Sequence, residues 1–347
     1  MAIRNYNTAG LILKEGISGF ENEIRELQRD LRELGYLKRG IDGKFGPGTE
    51  LAVKGLQHDL LHNDGSSTQN DGIAPVKVKD FNQGRVTAVT GIIDHKLADC
   101  ISDLLDNPDF PVLPKADQPK LENETIVAVI KAVPSHEVPI PFLVAMLKQE
   151  SGLRHFNEPA AGDEDTYIVV GLDRNNKQET HAITSRGYGV GQYTLFHHPP
   201  HSEEVEDFMN DVEKNINKAV WELRYKFDYF VNGNDNATRA DDRIEEYGPG
   251  PLRMCEYSAD DPRFMKVCKQ CMIDAGQTDI IDDVTPFYEG CNHVFEPTQY
   301  YPTANYQSVP IRKNLKCDWA YAARRYNGSG VNSYHYQTIT LKNVLDL

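Results

Sequence analysis

A Gly-rich loop set between two stretches of helical apolar spacing is the feature that most restricts how this chain folds. Upstream of it, Ile24, Leu27, Leu31 and Leu34 recur at helical period, with charges on the opposite face. Gly35 is a natural helix stop, because glycine enters the left-handed region without steric cost. The run Gly40-Ile41-Asp42-Gly43-Lys44-Phe45-Gly46-Pro47-Gly48-Thr49 is too rich in glycine for a regular element and reads as a tight loop. Thr49 is placed to cap a second helix, where Leu51, Ala52, Val53 and Leu56 supply apolar contacts up to Gln57. Asp42 and Asp94 are candidates for ligand contact. The competing reading is that each holds its own turn through side-chain-to-backbone hydrogen bonds.

The segments Ile24-Arg25-Glu26-Leu27-Gln28, Leu34-Gly35-Tyr36, Ile41-Asp42-Gly43-Lys44-Phe45-Gly46-Pro47 and Ala52-Val53-Lys54-Gly55-Leu56-Gln57 resemble the peptidoglycan-binding domain carried by many wall hydrolases. Thr90-Gly91-Ile92-Ile93-Asp94, leading into Leu97-Ala98, is similar to that domain's last helix. The resemblance implies a three-helix binding domain over residues 1–106, for a glycan strand or stem peptide, with no catalytic role. A polar and Gly-containing insertion at 62–85 departs from the pattern. Residues 107–120 carry Pro108, Pro111, Pro114 and Pro119, which predicts a semi-stiff linker before a second domain at 121–347.

Within that second domain, Pro139-Ile140-Pro141 sets a helix start, where a missing N–H costs nothing. Phe142, Ala145, Met146 and Gln149 share a stripe that Leu143 and Leu147 widen, so the helix is expected to be largely buried. Gly152 is its expected stop, which puts Glu150 in the last turn. A carboxylate there faces the negative end of the helix dipole, and partial burial also favours its protonated form. A glycosidase general acid needs a raised pKa of this kind.

Two more segments accompany that helix. Gly187-Tyr188-Gly189-Val190-Gly191-Gln192-Tyr193 combines small residues with one amide and flanking tyrosines, which suits close approach of a sugar or a simple turn. Asp318-Trp319-Ala320-Tyr321-Ala322-Ala323-Arg324-Arg325-Tyr326-Asn327-Gly328 reads as a helix ending in a Tyr-Asn-Gly stop. In this order, Glu150-Ser151-Gly152, Gly189-x-Gly191-Gln192 and Ala323-x-x-Tyr326-Asn327-Gly328 resemble the soluble lytic transglycosylases and goose-type lysozymes. Glu213-Lys214-Asn215-Ile216 with Ala219 and Leu223, and the run to Tyr336 and Val344, are similar to further helices of that group.

The resemblance implies a mainly α chain, with a lysozyme-like α-rich catalytic domain behind the binding domain. It implies an enzyme that cleaves the MurNAc-β-1,4-GlcNAc bond, with Glu150 as catalytic acid and later base, and no cofactor. Gly189, Gly191, Gln192 and Tyr193 would line the groove, while Tyr326 and Asn327 position the sugar or Glu150. Ser151 adjoins the acid but equally suits a role at the helix terminus. A hydrolytic muramidase needs a second carboxylate, for which Asp163, Glu164, Asp165 and Asp173 are the candidates. A lytic transglycosylase needs only one, because the muramoyl C6 hydroxyl attacks intramolecularly. The single clear Glu motif favours the transglycosylase. A non-catalytic wall-binding protein is the alternative from another class.

Residues 232–315 are not required by that family core and form an expected Cys-rich insertion. Cys255, Cys268, Cys271, Cys291 and His293 fit a tetrahedral zinc site or, for the four cysteines, two disulfides stapling a poorly cored segment, with free thiols as the third reading. Work in an oxidising compartment favours the disulfides, and Cys317 is placed to join them. Cys100 is expected to be a buried thiol.

The net charge of −15, carried mostly after residue 108, argues against a nucleic-acid partner, whose phosphates demand a basic footprint. No run of 18 apolar residues predicts a membrane span, and the first residues show no signal peptide. The expectation is synthesis in a bacterial cytoplasm and action on the periplasm or wall of a target cell, by phage-type release as an endolysin or as an injected antibacterial effector of a type VI machine. Glycan strands are then the partner, with an immunity protein or a secretion component as further ones.

Overall fold

The computed structural model describes residues 4–38, 41–114, 123–134, 137–156, 170–176, 178–231, 254–276, 315–328 and 331–347. The described chain is helix-rich, with one small sheet. Its contacts group into two compact units, Met1–Asn123 with Arg154–Asn215, and Glu124–Leu153 with Ile216–Leu347.

The first unit contains α1 (Glu21–Glu33), α2 (Pro47–His62) and α3 (His95–Asp106). Ile24, Leu27, Leu31 and Leu34 of the first apolar stripe are buried together with Val53, Leu56, Leu60, Leu97 and Ile101. Two glutamines fasten the turns between these helices. Buried Gln28 donates to Asp42 Oδ1 at 3.0 Å and to Lys44 O at 3.1 Å, and accepts from Gly43 N–H at 2.9 Å. Gln57 accepts from the Thr90 and Gly91 N–H groups, both at 2.8 Å, and donates to Ile92 O at 3.1 Å. Asp42 also accepts from Lys44 N–H at 2.9 Å, and Asp94 caps α3 by accepting from Leu97 N–H at 2.9 Å. Both aspartates therefore hold their own turns.

One local expectation changes. α2 starts at Pro47 with Gly46 as its N-cap, and Thr49 lies inside the helix, where its hydroxyl accepts from Gln28 at 3.0 Å. Proline at the first helical position needs no side-chain cap for its own missing N–H.

The remainder of the first unit comes from later in the chain. Strands β1 (Val170–Asp173), β2 (Ser185–Tyr188) and β3 (Tyr193–Leu195) form an antiparallel sheet in the order β1-β2-β3. Gly187 lies opposite Gly171 on one side and Thr194 on the other. Arg186 of β2 is buried and reaches Asp59 of α2 at 3.2 Å and Gly35 O at 3.3 Å. Asp59 also accepts from the Tyr36 hydroxyl at 2.8 Å. The 62–85 insertion meets the same region, with Thr68 N–H on Phe196 O at 3.0 Å and Phe196 N–H on Asp71 at 2.9 Å.

These contacts divide the chain differently from the boundaries drawn on the sequence, since Arg154–Asn215 belongs with the N-terminal helices. The first half of the Pro-rich stretch is also packed and does not act as a spacer. Phe110 and Leu113 are buried, and Leu113 N–H bonds Glu33 O at 2.8 Å. Residues 115–120 lie outside the described ones.

The second unit holds α4 (Asn123–Ala132), α5 (Ile140–Ser151), most of α6 (Val212–Lys226), α7 (Cys268–Asp274), α8 (Trp319–Asn327) and α9 (Val331–Leu345). Phe142, Leu143, Ala145, Met146 and Leu147 of α5 are fully buried, as the apolar stripe predicts. α5 packs on α9, and α9 on α8. No helix among the described residues is long and apolar enough to cross a membrane.

Candidate functional site

α5 ends at Gly152, which adopts φ 64° and ψ 31° and sends its N–H to Lys148 O at 2.9 Å. Only a residue without Cβ enters that conformation freely, so the helix stops there. Glu150 is left half-buried in the last turn. Tyr336 of α9 donates its hydroxyl to Glu150 Oε1 at 2.6 Å. One helical stretch further on, Asn343 donates to Ala145 O at 3.2 Å, so α9 runs opposite to α5 and is tied to it twice.

Burial pushes the Tyr336 phenol well above its usual range, and the charge and hydrogen bond of Glu150 push it further. Tyr326, at the end of α8, is raised first by burial and then by the charges of Glu150 and Glu222. Both phenols therefore stay protonated, and Tyr336 is a permanent donor to the carboxylate. Such a bond favours the ionised form of Glu150, opposing the helix-end and burial effects expected from the sequence.

Ser151 is buried and turns its hydroxyl back to Leu147 O at 3.1 Å, a bond within its own helix. Asn327 is exposed at the end of α8, before Gly328 with φ 121°. Glu150, Tyr326 and Tyr336 thus form one cluster in the second unit. Tyr336 was not singled out in the sequence because nothing separates it there from a core tyrosine.

The glycine segment is a turn of the first unit between β2 and β3. Gly189 has φ 72°, and a Cβ on it would lie 2.6 Å from Asn215 Nδ2 and 2.7 Å from the His155 ring. Asn215 accepts from Gly191 N–H at 2.7 Å and donates to Tyr188 O at 3.0 Å and Phe208 O at 2.7 Å. Val190 N–H donates to His155 Nδ1 at 3.2 Å. Burial lowers His155 to about 4, against a backbone hydrogen bond with Met209, so the ring is neutral and able to accept.

Gln192 folds back over the sheet. Its Nε2 donates to Gly189 O at 2.8 Å, and its Oε1 occupies the space that a Cβ on Gly171 or Gly187 would need. Tyr193 stacks on Phe208 at 4.0 Å between centroids. Gly189, Gly191, Gln192 and Tyr193 are therefore together, with Asn215 and His155 as the positioning residues that sequence reasoning missed. His155 carries no motif in the sequence, and Asn215 stands there only as part of the Glu213-Lys214-Asn215-Ile216 helix segment.

Of the acidic candidates, Asp173 ends β1 and accepts from Ser185 Oγ at 3.1 Å. Asp163, Glu164 and Asp165 lie outside the described residues, as do Cys291 and His293. Cys100, Cys255, Cys268, Cys271 and Cys317 are all free thiols, so the expected disulfides are not formed among the described residues. Cys100 is buried, as its helix position predicts. No three His, Cys, Asp or Glu side chains among the described residues are arranged to hold a metal ion.

Compared with known proteins, the chain matches the family model described as "Putative peptidoglycan binding domain" over residues 21–60. That interval covers α1, the Gly-rich loop and nearly all of α2. No curated protein and no solved structure matches it.

Proposed function

We propose that this chain associates with peptidoglycan through its N-terminal helices and cleaves the MurNAc-β-1,4-GlcNAc bond with Glu150 as general acid. The binding half rests on the family match at 21–60. The observation that carries the catalytic half is the hydrogen bond from Tyr336 to Glu150 Oε1 at 2.6 Å, at the end of a buried helix. In this reading a carboxyl oxygen of Glu150 carries the proton and delivers it to the glycosidic oxygen. The same oxygen then takes the proton of the attacking hydroxyl. The transglycosylase route is preferred, because attack by the muramoyl C6 hydroxyl needs no second carboxylate. A muramidase using an acidic residue from 163–165 is the alternative. Delivery as an injected effector or as an endolysin belongs to this reading too.

The experiment is digestion of purified sacculi, followed by mass spectrometry of the released sugars. A 1,6-anhydro end is expected, and a reducing end would replace transglycosylation with hydrolysis. Glu150→Gln is expected to abolish release while leaving sacculus binding unchanged. An undiminished rate would remove Glu150 from the chemistry, and absence of release by the unmodified chain would leave a wall-binding protein.

A further inference from the structure

The insertion at 62–85 closes on itself. Ser66 pairs antiparallel with Ile73, and Ala74 N–H bonds Gly65 O at 2.8 Å, so residues 66–73 form a small loop. Its tip meets the residues that follow β3. Asp71 accepts from the Ser67 hydroxyl within the loop and from Phe196 N–H at 2.9 Å outside it. The Thr68 hydroxyl donates to Thr184 O at 2.8 Å. Asp64, Ser66 and Thr68 also line a polar cavity of about 210 Å³, together with His58, Glu179 and Arg186.

One buried side chain lies under this loop. A Cβ on Gly72 would sit 3.4 Å from His197 Nδ1. His197 Nε2 is 2.9 Å from Glu204 Oε2, and its Nδ1 is 3.5 Å from Asp71 Oδ1. Glu204 is itself fixed by the His201 N–H at 2.8 Å. A carboxylate only accepts, so in the neutral ring Nε2 carries the hydrogen. Nδ1 is then a lone pair facing a second carboxylate, and it makes no hydrogen bond. A proton on Nδ1 turns that repulsion into a charge-assisted contact.

We infer that the 66–73 loop is a pH-sensitive strap, pinned as a wall of the cavity when protonated His197 bridges Asp71 to Glu204, and loosened when that proton leaves. The Glu204 hydrogen bond raises His197 above the ordinary histidine range, against burial, and the Glu204 charge and Asp71 add to it. Burial raises Asp71, but Ser67, the Phe196 N–H and His197 bring it below the usual carboxylate range. Two histidines complete the surroundings. The His201 ring lies 5.4 Å away, and the adjacent His198 is kept neutral by burial and then by the Arg186 charge. The folded value of His197 lies above its unfolded one. The strap's contribution is therefore complete below about pH 6.5 and is lost as pH rises through the folded value. This inference is independent of the wall-binding and glycosidase readings, because it concerns only the loop.

The test is hydrogen exchange of the full-length chain from about pH 6 to about pH 9, with each amide corrected for its intrinsic rate. Protection at Thr68 and Phe196 should fall by about tenfold across that range, the worth of a hydrogen bond to a charged group, while Leu27 and Leu31 of α1 keep theirs. His197→Gln should remove the pH dependence, and Asp71→Asn should move its midpoint to lower pH. Constant protection in the unmodified chain overturns the inference, as does a pH dependence that survives in His197→Gln. Should that variant lose protection in α1 as well, Asp71→Asn decides, and an unmoved midpoint overturns the inference.

Discussion

The glycine turn of the first unit and the carboxylate of the second were both drawn from short motifs, yet they are built on opposite lines. In the turn, Asn215, His155 and Gln192 spend their polar atoms on backbone groups from Tyr188 to Gly191. At Glu150 a side chain holds another side chain, and the backbone is satisfied separately by Gly152. Gly-x-Gly-Gln therefore reads as a device for holding a chain reversal rigid, whereas Glu150 is an ionisable group held by the Tyr336 hydroxyl. A motif's order along the chain does not distinguish these two uses. Partner atoms do.

The largest test of the contrast lies under the turn. Arg186→Met would leave Asp59 buried without its guanidinium, at an expected cost to the first unit of about 3–5 kcal/mol in urea unfolding. Burial alone would raise Asp59, but the His58 hydrogen bond, the Arg186 charge and the Tyr36 hydroxyl hold it at about 2. Its folded value lies below its unfolded one, so this stability is present above about pH 4 and fades as pH falls toward about 2. Acid titration of the unmodified chain should show that step, and Arg186→Met should shrink it.

Gly189→Ala is expected to cost about 3 kcal/mol, from a left-handed backbone and a methyl driven into Asn215. An unchanged melting curve would mean that the turn is not rigid. Tyr336→Phe should have the smallest effect on stability, but it should lower sugar release by about tenfold, as expected for about 1.5 kcal/mol lost from a hydrogen bond to a charged group. It should also shift the acid limb of the pH–rate profile. A purely structural role would move the melting curve and leave that profile in place.

The α1–loop–α2 region was legible because its core positions recur at helical period and its stops are glycines. A further signal was present, since Leu27-Gln28-Arg29-Asp30-Leu31 and Leu56-Gln57-His58-Asp59-Leu60 are near-copies, and their glutamines fasten equivalent turns. The end of α5 at Gly152 was readable for the same local reason. The membership of 154–215 was not legible, because it depends on the pairing of Arg186 with Asp59 across 127 positions, which no local pattern encodes. Tyr336 and Asn215 were likewise hidden, as their roles exist only through partners far along the chain.

The Arg186–Asp59 pair carries a consequence for how the N-terminal helices are inherited. A fragment ending at Asp106 would keep Asp59 and Tyr36 but lose the guanidinium that compensates one and covers the other. It would also lose Phe110, which lies in the same core. Such modules are usually imagined as cassettes exchanged whole between wall proteins. Here the cassette has been soldered to its host, and a recombination joint after Asp106 would inherit a buried acid stripped of its guanidinium.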